Sequence, residues 1–174
     1  MSTQSSEMLR SLRIAIEIEE NGLTTFLKLA RKAKQEAGKN MFIRLAMDEN
    51  EHRGILVKQI NRLLEGKPWQ SIDIPKSEIE SVAPVIRERQ QRSREESTLG
   101  ETDALNTALD LERKAAEFFR KQAEQAREPQ AKALFERLAE WEDSHFDIIQ
   151  AEFDYINQTG FWFDVPEFKM DGKY

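Results

Sequence analysis

The chain has no cysteine among its 174 residues. That excludes disulfides, thiolate zinc sites, Cys-ligated iron–sulfur centres and thiol nucleophiles. It has only two histidines, so any imidazole chemistry rests on two positions. No run approaches the ~20 apolar residues of a membrane span, and the mean hydropathy is −0.68. Positive charge is in deficit: 26 Lys and Arg face 32 Asp and Glu, a net −6. A nucleic-acid surface, which leans on clustered Lys and Arg, is not expected. The opening MSTQSSEMLRS holds no apolar core of an export signal. We therefore expect one soluble, cytoplasmic domain with no membrane or nucleic-acid partner, long enough to bury its own core.

Glycine (7) and proline (5) are also scarce, and their positions punctuate the chain. From the N-terminus to Gly38, Leu12, Ile16, Leu23, Phe26, Ala30 and Ala33 recur at three- and four-residue steps, the stripe of an amphipathic helix. Gly22 reads there as a tolerated helical glycine, and Gly38 as a C-cap. A second helix is predicted from about Lys39 to Glu65, ended by Gly66. A third should start at Thr102 or Asp103, both good N-caps, and run to about Arg127. Pro129 suits the first turn of a fourth, which ends near Gln158. Short connections make helices 1 and 2, and helices 3 and 4, antiparallel neighbours. Between Gly66 and Gly100 lie Pro68, Pro75, Pro84 and the run RERQQRSREE, enough chain for a long crossover with a short helix in its second half. The expected fold is an all-α four-helix bundle over residues 1–158 with an aromatic tail, 159–174. That tail packs on its own bundle or on a second copy of the chain; a homodimer is expected.

Shifting the chain by 93 residues aligns 12–60 with 105–153 without a gap, and 15 of the 49 positions are identical. The bundle is thus two copies of one helical hairpin. The polar matches carry the chemistry. Both histidines follow a glutamate by three residues, Glu49–His52 and Glu142–His145, and each pair follows a matched glutamate by 30, Glu19 and Glu112. A spacing of three places Glu and His on adjacent turns of one helix face, able to reach one ion. All six lie on the apolar stripes, whereas Glu17 and Asp110, also matched in the repeat, lie on the solvated face. Four carboxylates turned into a core lose hydration worth several kcal/mol each. Two divalent cations neutralise them in full, with one imidazole for each. Such a hard, oxygen-rich donor set suits iron or manganese. A buried His or a helix-edge Glu alone is usually structural; six on four helices under one repeat are not.

With one Glu on each of two helices and Glu-x-x-His on each of the others, the chain resembles the ferritin-like di-iron carboxylate proteins. The hairpins read Glu19…Phe26…Phe42-Ile-Arg-Leu45-Ala46-Met-Asp-Glu49-Asn-Glu-His52 and Glu112…Phe119…Phe135-Glu-Arg-Leu138-Ala139-Glu-Trp-Glu142-Asp-Ser-His145. They are most similar to the rubrerythrin-like branch. The resemblance implies a ferritin-like bundle with two iron ions (or manganese) on Glu19, Glu49, His52, Glu112, Glu142 and His145, in which Glu49 and Glu142, or Glu19 and Glu112, include the bridging carboxylates. It implies a di-iron oxidoreductase that reduces hydrogen peroxide or dioxygen as Fe(II) is oxidised. The alternatives are a ferritin-type ferroxidase for iron storage and a metal-free helical interaction module. Three departures stand out. Full-length rubrerythrins carry a Cys-ligated rubredoxin iron, so here an external electron-donor protein is expected. Ala115 stands where they usually offer a further Glu, which brings the ligand set closer to a bacterioferritin-like one. Phe26 and Phe119 stand where the family commonly has Tyr. Trp141, Asp48 and Asp143 are the candidates for supporting the ligands.

Overall fold

Residues 3–71, 99–159 and 162 are described by the computed structural model. They form α1 (Thr3–Lys32), α2 (Glu36–Leu64), α3 (Leu99–Gln125) and α4 (Pro129–Thr159), with no strand among the described residues. The expected apolar stripes face inward: Leu12, Phe26, Phe42, Leu45, Leu105, Phe119, Phe135 and Leu138 are all buried. Pro129 opens α4 with no amide to satisfy, and the Lys132 amide already bonds the Glu128 carbonyl at 3.0 Å. At the end of α2 the Gly66 amide bonds Leu63 O and the Lys67 amide bonds Arg62 O. This is a Schellman closure, and Gly66 adopts φ +74° within it, a conformation that favours glycine.

Two boundaries differ from expectation. Gly38 does not cap α1, which ends at Lys32; it is buried in the first turn of α2. A Cβ at Gly38 would overlap the Trp162 ring, so the glycine is there for close approach by a residue beyond α4. Trp162 also meets Phe42 edge-on at 5.6 Å. The aromatic tail thus packs on its own bundle at this one described residue. Thr102 and Asp103 do not cap α3, which is already helical at Leu99.

The apolar interior divides into two layers. One joins Phe26 and Leu29 of α1, Met41 and Phe42 of α2, Leu105 and Ala108 of α3, and Ile148 and Ile156 of α4. The other joins Leu9 and Leu12, Leu56 and Ile60, Phe119 and Ala123, and Leu134 and Phe135. The late part of α1 therefore meets the early part of α3, and the late part of α2 meets the early part of α4. Hence α1 is antiparallel to α3 and α2 to α4. The chain leaves α2 at one end of the bundle and enters α3 at the other, the long crossover that was expected. The short helix predicted within it lies outside the described residues. The repeat is visible in the packing: Phe26 stacks on Phe42 at 6.3 Å and 17°, and Phe119 on Phe135 at 6.3 Å and 21°.

Candidate metal centre

Between the two apolar layers lies a polar one. Glu19, Glu49, His52, Glu112, Glu142 and His145 are each at most 1% exposed. Glu19 lies seven residues before Phe26, and Glu112 seven before Phe119, so the periodicity that buries the rings also buries the carboxylates. His52 Nδ1 lies 3.3 Å from Glu19 Oε2 and 3.2 Å from Glu142 Oε1. His145 Nδ1 lies 3.2 Å from Glu49 Oε1, 3.4 Å from Glu112 Oε1 and 3.8 Å from Glu142 Oε2.

Two groups of four result: Glu19, Glu49, His52 and Glu142, and Glu49, Glu112, Glu142 and His145. Within each group one donor atom per residue falls within 4.8 Å of the others, so each could hold a metal ion. Glu49 and Glu142 belong to both groups and Glu19 and Glu112 to one each, which separates the two pairs that the spacing leaves equivalent. Close as these atoms are, they do not satisfy one another. Both oxygens of Glu19, Glu112 and Glu142, Glu49 Oε1 and the Nδ1 atoms of both histidines are buried without a hydrogen-bond partner. Polar atoms left so in a core cost ~1–3 kcal/mol each, and donors that converge without bonding one another fit an ion between them.

The electrostatics show the same strain. Burial, reinforced by neighbouring carboxylates, pushes Glu19, Glu49 and Glu112 well above the usual carboxylate range. Burial acts to raise Glu142 as well, but the imidazoles of His145 and His52 hold it below that range. Burial opposes charge on His145, yet Glu112 and Asp48 outweigh it and raise its affinity for a proton. The metal-free centre therefore retains protons that a cation would displace.

The three expected supporting residues separate. Asp48 Oδ2 lies 3.2 Å from His145 Nε2. Trp141 lays its ring 4.1 Å from that of His52, tilted 47°. Asp143 does neither: half-exposed, it pairs with Arg120 on the outside of the bundle, because position 143 is one residue past the inward-facing Glu142 and points off the stripe. Gly22 is a site residue that sequence reading missed. A Cβ there would lie 2.8 Å from Glu49 Oε2, so the glycine makes room for the carboxylate. The signal was available: Gly22 is three residues after Glu19, on the same face, and its repeat counterpart is the small, buried Ala115. Phe26 and Phe119, where the family commonly has Tyr, are fully buried in the flanking apolar layers.

A family model described as Rubrerythrin matches residues 11–153, nearly the whole bundle. The chain belongs to the rubrerythrin family. Membership of that family implies di-iron binding in general terms, and the buried acid and imidazole cluster is where this rubrerythrin-family chain could bind metal. A solved structure of a hypothetical protein from Pyrococcus furiosus has the same fold, with a TM-score of 0.62 and 24% identity over 85% of this chain and 89% of that one. None of the curated proteins matches the chain. No helix of this rubrerythrin-family bundle, among the described residues, is long and apolar enough to cross a membrane.

Proposed function

We propose that the chain is a di-iron oxidoreductase that reduces hydrogen peroxide, or dioxygen, with oxidation of Fe(II). The observation that carries the reading is the pair of four-residue groups sharing Glu49 and Glu142, built from buried atoms with no hydrogen-bond partner. Glu19 and His52 would hold one ion, Glu112 and His145 the other, and Glu49 and Glu142 would lie between them. When bound, each Fe(II) gives one electron, so two of them and two protons convert one H2O2 to two waters.

The chain's own residues set the conditions for that exchange. The Phe26–Phe42 and Phe119–Phe135 layers close both ends of the polar layer and restrict water there, which strengthens each charge interaction between them. Asp48 accepts from His145 Nε2 and so turns Nδ1 toward the carboxylates. Apart from those carboxylates the donors are imidazole nitrogens, which favours iron or manganese over metals that seek thiolate. With no cysteine in these 174 residues, the reductant is an external electron-donor protein, and we take the working form to be a cytoplasmic homodimer.

Elemental analysis tests the reading on protein purified without chelator. Wild type should carry about two Fe or Mn per chain, and Glu49→Ala/His145→Ala almost none. Absence of metal in wild type, even after anaerobic Fe(II) loading, overturns it. In the loaded protein, stoichiometric oxidation by peroxide without mineral growth supports the oxidoreductase, whereas continued iron uptake with O2 supports the storage alternative.

A further inference from the structure

Around the centre, residue pairs repeat at the 93-residue offset. Glu19/Glu112, Glu49/Glu142 and His52/His145 are identical, but Asp48/Trp141 is not. That position directly precedes the shared glutamate, and in each hairpin it reaches across to the other hairpin's histidine. Asp48 of α2 meets His145 Nε2 of α4 at 3.2 Å. Trp141 of α4 instead covers the ring of His52 of α2 at 4.1 Å. An indole offers only an N–H donor, so it cannot accept a hydrogen from imidazole. Accordingly His52 Nε2 and Trp141 Nε1 are both buried with no hydrogen-bond partner.

Building on the two-metal reading, we propose that the two positions are unequal: the His145 position fills first and tightly, the His52 position is the weaker and exchangeable one, and Asp48 sets that order. The chemistry follows from the ring nitrogens. An ionised carboxylate only accepts, so it fixes the hydrogen on His145 Nε2 and leaves Nδ1 as the metal donor. Negative charge on that N–H makes the ring a stronger donor and locks its orientation. At His52 the corresponding N–H has no acceptor. A cation at Nδ1 would polarise that N–H further, in a place where nothing compensates it. The count of carboxylates points the same way. Glu49, Glu112, Glu142 and Asp48 surround the His145 position, whereas Glu19, Glu49 and Glu142 surround the other.

Cobalt(II) titration of the metal-free full chain tests this, followed by visible absorption and by calorimetry. Wild type should fill in two steps, the first at least about 10-fold tighter than the second, with Asp48→Asn weakening the first about 10- to 100-fold. The second step, which shares Glu49 and Glu142 with the first but does not use His145, should weaken by a clearly smaller factor. His145→Ala should remove the first step and leave the second. Asp48→Glu, which keeps the charge on a longer arm, should recover part of the lost affinity; a merely structural loss would not show that rescue. Two equal steps in wild type overturn the inference, as does an equal weakening of both steps in Asp48→Asn. Absence of any cobalt binding overturns the two-metal reading itself, and this inference with it.

Discussion

Along the axis of the bundle the same four helices build two kinds of interior. At either end they meet through stacked phenylalanines and aliphatic side chains; midway, still within the same stripes, they meet through four carboxylates and two imidazoles. The ends gain from leaving water, at ~25 cal/mol per Å² of apolar surface. The middle loses, because its buried charges are neither hydrated nor paired in full. One stretch of helix can thus hold the fold together and then strain it within two turns. The stability of the ends is what allows the middle to be kept poised for a cation.

Substitutions can break this contrast. The largest effect is expected in an end layer: Phe119→Ala, at a fully buried ring, should lower the unfolding free energy by about 3–5 kcal/mol. Urea denaturation measures it, and a change under half that size would show that the layer is not the main support. Next comes the opposite sign. In chelator-treated protein, replacing the pair together, Glu112→Leu/His145→Leu, should be neutral or stabilising by about 1–4 kcal/mol, while the metal position these two residues serve is lost. Marked destabilisation of the metal-free variant would contradict the idea that the polar layer strains the apoprotein.

A pH series sharpens the same point without mutation. Glu19, Glu49 and Glu112 hold protons more tightly folded than unfolded. Their contribution to stability is full below the usual 4.5 and drains as the pH rises through their elevated values. His145 adds to the loss from 6.5 upward. Glu142 works the other way, and its contribution is lost as the pH falls below the ordinary carboxylate value. The metal-free protein should therefore melt at a higher temperature near about pH 6 than near about pH 8.5. Metal affinity should rise over the same interval as those protons are released. A melting temperature that climbs with pH in chelator would refute it.

The smallest effect on stability belongs to Gly22→Ala. Alanine favours the helix by about 1 kcal/mol, and the atom it crowds, Glu49 Oε2, is the end of a flexible side chain that can move aside. Thermal melts should shift little, whereas metal affinity should fall about 10-fold as a shared carboxylate is displaced. If affinity is retained, Gly22 is merely a tolerated glycine.

How much of this was legible in the sequence depended on distance along the chain. The helices and the six inward polar residues could be read because each follows from spacing within one hairpin, and the hairpin occurs twice. The pairing of Asp48 with His145 and the packing of Trp141 on His52 could not be read, since each joins one hairpin to the other. Gly38 was misread for the same reason. Its role depends on Trp162, a residue more than a hundred positions away that packs against it. Thr102 and Asp103 have the chemistry of caps, but a cap also requires a backbone turn, and at that point the helix is already under way. The sharing of Glu49 and Glu142 between the two groups became visible only when all four helices were placed together.

The crossover that carries the chain from one end of α2 to the far end of α3 has a consequence in symmetry. Two separate, identical hairpins could meet about a two-fold axis and present the same four glutamates and two histidines. Such a pair must carry the same residue at every equivalent place. It could offer two aspartates or two tryptophans beside its histidines, never one of each. A single covalent thread through both copies lifts that restriction: each position can change without dictating its twin, and a site that began even-handed can acquire a direction.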